Sequence, residues 1–195
     1  MKKDIILAGV GGQGILSIAT CIGMTAVNAG LFLKQAEVHG MSQRGGDVHS
    51  NLRLSDREIA SDLIPRGKAD MIISVEPMES LRYLPMLAPD GWLITNTKPH
   101  VNIPNYPPIE DVIREIQSIS NHIALDANQI ALDLGLRRSA NMVILGAASP
   151  YLGLDFKELE NALVNIFKSK GEDVIQANIK ALNTGRKFAE NYIKI

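Results

Sequence analysis

A chain of 195 residues that is 46% hydrophobic and 21% charged, with a formal net charge of −1, can build a substantial core and fits a single domain over residues 1–195. Neither half carries an excess of basic residues, and aromatics make up only 5%, which argues against nucleic acid and anionic membrane as partners. The one cysteine, Cys21, excludes a disulfide framework and a cysteine-ligated metal or iron–sulfur site, and fits a reducing cytoplasm.

The first predicted element is a buried strand over residues 4–10, an apolar run too short for a helix and bounded by glycine. Gly9-Val10-Gly11-Gly12-Gln13-Gly14 follows. Then comes a helix over 14–29, apolar nearly all round, whose Ala19, Gly23 and Ala26 let it lie close to a sheet and which Gly30 stops. No charge occurs from Ile5 to Leu33, and Ile18-Ala19-Thr20-Cys21 hints at a lipoprotein cleavage site. The glycines nevertheless break the continuous apolar core that a signal peptide or a membrane span requires, so a cytoplasmic protein is expected.

A second strand is expected over 31–38, followed by the glycine-rich run His39-Gly40-Met41-Ser42-Gln43-Arg44-Gly45-Gly46. Residues 47–54 alternate, with Val48, Leu52 and Leu54 on one face and His49, Asn51 and Arg53 on the other. Ser55-Asp56-Arg57-Glu58 reads as a turn into 59–64, which predicts a hairpin. A buried strand over 69–75 precedes a helix over 76–87, with Pro77 in its first turn. Pro89-Asp90-Gly91 reads as a turn, 92–95 as a strand, and 98–109, with four prolines, as an extended loop. A strand follows over 119–125, after which Asp126 can cap a helix.

The C-terminal third reads as helical. Asp155 and Glu158 have capping-box spacing, and Phe156, Leu159, Leu163, Ile166 and Phe167 form one stripe that Gly171 ends. A last helix carries Ile175, Ile179 and Leu182 on one face, with Gly185 where another backbone can approach. Strands alternating with helices predict an α/β fold: an open, mainly parallel, Rossmann-like sheet flanked by helices, with a hairpin insertion and a helical C-terminal segment. Both glycine-rich loops then fall at carboxyl ends of strands, where ligands collect in such sheets.

The turn Gly9, Gly11, Gly12, Gln13, Gly14 has the strand–G-x-G-x-x-G–helix form that can hold an anion on backbone N–H groups at a helix N-terminus. Its plain structural reading is a tight crossing. A dinucleotide site would add an acidic residue on the ribose, and Glu37 has tolerable spacing for it. In the second loop Arg44, beside Gly45 and Gly46, can offer a bidentate fork to a carboxylate or phosphate. His39 can serve as an acid or base near neutral pH, and Gln43 adds a further polar contact. Glu37-x-His39 and Asp47-x-His49 would supply four metal ligands if both pairs faced one point. Such patterns are more often a polar sheet face, and no metal is expected. Glu76 and Glu79 share a helix face as solvated or capping groups. Cys21 reads as core, and no serine nucleophile motif is present.

The two glycine-rich motifs, with Leu52-Arg53, Gly67-Lys68-Ala69-Asp70, Glu76-Pro77-Met78-Glu79 and the run from Asn141 to Gly146, resemble the gamma-type subunits of 2-oxoacid:ferredoxin oxidoreductases over nearly the whole chain. The Gly-Gly-Gln-Gly turn marks the superfamily, and His-Gly-Met-Ser-Gln-Arg-Gly-Gly points to its indolepyruvate branch. The resemblance implies a complex that oxidatively decarboxylates an aryl 2-oxoacid, transfers the acyl group to coenzyme A and reduces ferredoxin. It implies thiamine diphosphate, magnesium and iron–sulfur clusters in a large alpha subunit, ferredoxin as electron acceptor, and no complete active site or cofactor in this chain alone. The candidate cofactor- or partner-contacting residues are then Gly9, Gly11, Gly12, Gln13, Gly14, His39, Gln43, Arg44, Gly45 and Gly46, and a homodimer stays open. Two other readings compete: a free-standing NAD-linked reductase, which uses Gly9–Gly14 and Glu37 but leaves His39–Gly46 unexplained, and a non-catalytic binding module.

Overall fold

The structure is a computed structural model that describes residues 1–40, 46–101 and 103–192. Six strands form one sheet: β1 (Lys2–Val10), β2 (Phe32–His39), β3 (Asp47–Ser55), β4 (Ala69–Ser74), β5 (Leu87–Asn96) and β6 (His122–Leu125), in the order β2-β3-β1-β4-β5-β6. β1, β4, β5 and β6 pair in parallel, whereas β3 is antiparallel to both β1 and β2. The mainly parallel α/β sheet expected from the alternation of elements is therefore present, with β3 as its single reversed strand.

The strand alternation fixes two faces. Ile5, Leu7, Met71, Ile73 and Ile94 point to one side and meet α1 (Ile15–Asn28), α5 (Ala140–Ala148), α6 (Phe156–Phe167) and α7 (Glu172–Tyr192) in the larger core. Ile6, Ile72 and Leu93 point to the other and meet α2 (Pro77–Arg82) and α3 (Ile109–Gln117). Fully buried apolar side chains such as these contribute about 1.5–3 kcal/mol each. The predicted close approach of α1 occurs at Gly23, where an added Cβ would lie 3.1 Å from Leu33. Gly30 takes φ +75° one residue beyond the helix cap, where glycine costs little. α4 (Ala127–Asp133) is capped by Asp126, whose carboxylate accepts from the Gln129 N–H, and α6 by Asp155, which accepts from Glu158 N–H.

Three expectations change: the hairpin, the Pro89-Asp90-Gly91 turn, and the helix read over 76–87, which ends at Arg82 and gives way to a 3-10 turn before Leu87 enters β5. β3 pairs antiparallel with β2 and β1, so the hairpin is β2–β3, and not with residues 59–64, which form no strand. That segment instead folds over β3, where Asn51 Oδ1 accepts from Ile64 N–H and Arg53 Nη1 donates to the carbonyls of Ser61 and Leu63. Pro89-Asp90-Gly91 lies within β5 as a bulge, since the pairing of β4 jumps from Ala69–Leu87 to Met71–Trp92. Residues 109–117, unassigned between the predicted loop over 98–109 and the predicted strand over 119–125, are helical. Pro108 stands at the N-cap and Glu110 and Asp111 fill the first turn, which the dipole favours.

Candidate functional site

α1 and β2 depart from β1 toward one edge of the sheet, whereas α2 and β5 depart from β4 toward the other. The crevice between the carboxyl ends of β1 and β4 is therefore the topological switch point, the place where open α/β sheets bind ligands. The glycine turn forms one wall. Gly12 and Gly14 take φ +93° and +85°, so both need a residue tolerant of the left-handed region. Gly9 has no room for a Cβ, which would fall 2.4 Å from Val75 Cγ2.

Gln13 braces its own turn. Its Oε1 accepts from Val10 N–H at 2.8 Å, while its own N–H donates to the Val10 carbonyl. Gly11 N–H donates to the Gly46 carbonyl at 3.1 Å, and Gly40 N–H to the Asp47 carbonyl at 2.9 Å. The two glycine-rich loops are thus joined by backbone, and several amides of the first are spent on structure. Gln43, Arg44 and Gly45 lie outside the described residues.

Of the second wall, only Asn141 stands in a motif readable from the sequence. Asn141, at the start of α5, donates to the Gly14 carbonyl at 3.2 Å, so the N-termini of α1 and α5 converge. Arg137 and Arg138, both exposed, precede Ser139 at the α5 cap and line a cleft of about 400 Å³ together with Gly12, Gln13, Asn96 and Asn128. Asn96 Nδ2 donates to Asn128 Oδ1 and to the Val75 carbonyl, which fixes the floor. The cleft opens past the same arginines into a groove of about 1010 Å³ with Leu132, Phe167 and Val174 on its walls and Lys170 at its rim. Two helix N-termini and two guanidinium groups give this crevice a field that attracts anions. The signal in the sequence is a local contradiction: basic residues just before a helix N-terminus oppose its dipole, and such broken rules mark functional positions.

Behind the loops, α2 carries a polar network. Glu76 is buried and caps α2. It accepts from Glu79 N–H at 2.8 Å, from His100 N–H at 3.2 Å and from the Tyr106 hydroxyl at 2.5 Å, tying His100 and Tyr106 to the end of β4. Burial, and then the Glu76 carboxylate, push Tyr106 above the usual phenol range. Glu79 is also buried rather than solvated; burial raises its pKa against the opposing pull of Arg82, which it binds at 2.7 Å. Tyr83 OH lies 2.7 Å from His49 Nδ1 and 3.2 Å from Asp47 Oδ2.

The register separates the two acid–histidine pairs. Glu37 and His39 lie opposite Ser50 and Val48, whereas Asp47 and His49 lie opposite Gly9's neighbours Val10 and Ala8, on the other face. The four side chains therefore cannot converge on one metal ion. His39 Nε2 contacts Glu37 Oε1 at the sheet edge. β3 also stands between β1 and β2, which puts Glu37 two strand spacings, roughly 9.5 Å, from the glycine turn instead of one. That geometry does not offer the ribose contact a dinucleotide site requires.

The sheet with β3 reversed, and a switch-point crevice built on a Gly-Gly-Gln-Gly turn, define the class. Residues 4–188 match the family described as pyruvate ferredoxin/flavodoxin oxidoreductase, and the chain belongs to that family. It is 34% identical to the indolepyruvate oxidoreductase subunit IorB of Pyrococcus horikoshii, over 100% of both chains. The fold is also that of the gamma subunit of a keto/oxoacid ferredoxin oxidoreductase from Geobacter sulfurreducens, with a TM-score of 0.70, 23% identity, and coverage of 97% of this chain and 99% of that one. It matches part of the 2-oxoglutarate:ferredoxin oxidoreductase of Magnetococcus marinus, solved with 2-oxoglutarate, coenzyme A and succinyl-CoA, with a TM-score of 0.77, 22% identity, and coverage of 97% of this chain and 31% of that one. The resemblance read from the motifs is borne out. Among the described residues, no helix is long and apolar enough to cross a membrane.

Proposed function

We propose that this chain is the small, non-autonomous subunit of an indolepyruvate:ferredoxin oxidoreductase, which converts an aryl 2-oxoacid and coenzyme A to acyl-CoA and carbon dioxide and passes two electrons to ferredoxin. The full-length match to a protein named for indolepyruvate carries the reading. The large partner subunit holds the thiamine diphosphate, which supplies the electron sink for decarboxylation, and the iron–sulfur clusters. This chain does not fit a cluster: its only thiol, Cys21, is fully buried in α1, and burial pushes its pKa up to about 12.

Its own part is to bind and orient an anionic group at the subunit boundary. Arg137, Arg138 and the N-termini of α1 and α5 hold the phosphates of coenzyme A, and the apolar groove beyond takes the less polar arm. Arg44, His39 and Gln43, from the glycine-rich run over 39–46 that meets the same turn at Gly46, supply further polar contacts to the 2-oxoacid, the coenzyme or the partner. Reconstitution with a matching large subunit tests this. Indolepyruvate-dependent reduction of a viologen dye should need both chains. Arg138→Ala should raise the KM for coenzyme A about tenfold with little change in Tm, because a charge-assisted contact is worth about 1.5–3 kcal/mol. Turnover by this chain alone, or an unchanged KM in both Arg137→Ala and Arg138→Ala, would overturn it.

A further inference from the structure

The free edge of β2 is the feature the reading above leaves unused. β2 is eight residues long, contains no proline, and pairs with a strand on one side only among the described residues. Soluble proteins usually blunt such an edge with lysine, proline or a bulge. Here the one lysine, Lys34, is exposed, and its Nζ is engaged, donating to the Ala60 carbonyl at 3.2 Å, on the segment that folds over β3. On the same face Phe32 and Val38 are 51% and 47% exposed, and Leu63, on the segment that Arg53 holds over β3, is 57% exposed.

We propose that β2 is the seat of a two-fold homodimer, pairing antiparallel with the β2 of a second copy about an axis through Gln35, so that two six-stranded sheets become one. Closed two-fold contacts demand a self-complementary strand, and the residues of β2 select one register. Side chains keep their faces across such a pair, so residues of equal parity stand opposite one another. An axis through Lys34 sets two lysines face to face, and one through Glu37 sets two glutamates face to face; both are destabilising. An axis through Ala36 places Lys34 against Val38. An axis through Gln35 places Phe32 against Val38 twice, an aromatic–β-branched pair of the favoured kind, with Gln35 against Gln35 and no like charges opposed.

The experiment uses the full chain. Gln35→Cys sits on the axis, and directly opposed residues in antiparallel strands have Cα atoms about 4.5–5.5 Å apart, within disulfide reach. Mild oxidation should link Gln35→Cys into a dimer and leave a Lys180→Cys control, exposed on α7, unlinked; buried Cys21 gives no background. Sedimentation equilibrium should show concentration-dependent dimerisation at micromolar levels, weakened at least tenfold by Val38→Lys, with melting curves that coincide once both proteins are diluted to monomer. A chain that stays monomeric throughout, or equal linking in both cysteine variants, would overturn the proposal. So would a β2 edge that becomes protected only when the large subunit is added.

Discussion

Gly11 N–H donates to the carbonyl of Gly46 at 3.1 Å, so the turn after β1 is tied to the stem of β3. Because the bond is between backbones, its integrity depends on how closely the turn can seat against the sheet.

That seat is set by Gly9. An added Cβ would lie 2.4 Å from Val75 Cγ2 and 2.9 Å from Ile15 Cδ1, and both neighbours are buried. Gly9→Ala should therefore cost about 1–3 kcal/mol through overpacking. At Gly12, nothing lies within 4 Å of the added Cβ, so Gly12→Ala pays only for φ +93°, about 1–2 kcal/mol. Urea melts give the stabilities. Because Gly9 positions the whole turn, Gly9→Ala should also impair coenzyme A use in the reconstituted complex, whereas a normal KM there would detach the turn from the site.

Asp4 is held by a two-point contact: Arg53 Nε to Oδ1 at 2.7 Å and Nη2 to Oδ2 at 3.0 Å, with Lys2 Nζ at 2.8 Å. Burial raises its pKa, but the Arg53 and Lys2 contacts more than offset this and leave it below the ordinary 3.8. A depressed carboxyl stabilises the fold fully above the unfolded value and loses that contribution as pH falls through the folded one. Asp4→Asn should cost about 1.5–3 kcal/mol at pH 7, because Arg53 keeps its bonds to the Ser61 and Leu63 carbonyls but loses its charged two-point partner. The mutant should also show a flatter loss of Tm below pH 4 than the wild type. Parallel acid limbs would show that the pair does not set acid stability.

Much of this fold is legible in sequence where local pattern and tertiary role agree. The buried run from Ile5, the small residues facing the sheet in α1, the cap at Asp155 and the close approach at Gly185 are each set by neighbouring residues. The partner of β3 is not, because the alternation of residues 47–54 states which side chains share a face but not which strand lies beside them. α3 is hidden by Pro104, Pro107 and Pro108, although Pro108 is compatible with a helix start. At the site, the glycine turn can be read directly. Arg137 and Arg138 acquire meaning only when α5 packs its N-terminus against Gly14, a contact 127 residues apart in the chain.

His49 should make stability depend on pH in the same direction as Asp4 but in a higher window. Burial lowers its pKa below 6.5, and Asp47 only partly opposes this. A histidine with a depressed folded value stabilises the fold above its unfolded value and loses that contribution as pH falls through 6.5 toward the folded value. Relative to His49→Gln, the wild type should therefore lose Tm between pH 7 and 5. A difference that stays constant with pH would mean that the Tyr83–His49 contact is indifferent to charge.

The sharpest structural test lies where α5 and α7 cross. A Cβ on Gly185 would fall 1.9 Å from the Val143 carbonyl oxygen, and one on Gly146 would fall 2.0 Å from that of Leu182. The contact is reciprocal and involves backbone on both sides, so no rotamer change can relieve it; the helices must separate. Gly-to-Ala inside a helix ordinarily stabilises by about 0.5–1 kcal/mol. Here the sign should reverse, and Gly185→Ala should cost about 2–3 kcal/mol or more through overpacking. Separation would also pull α5 away from the sheet, and with it Asn141 and the arginines that flank the Ser139 cap. The mutant should therefore lose coenzyme A affinity in the reconstituted complex along with stability. Gly135→Ala, where nothing lies within 4 Å and only φ +75° is strained, should cost about 1–2 kcal/mol. Denaturant melts of the two variants, compared with their kinetics, decide the matter. A neutral or stabilising Gly185→Ala would mean that the two helices do not cross in backbone contact.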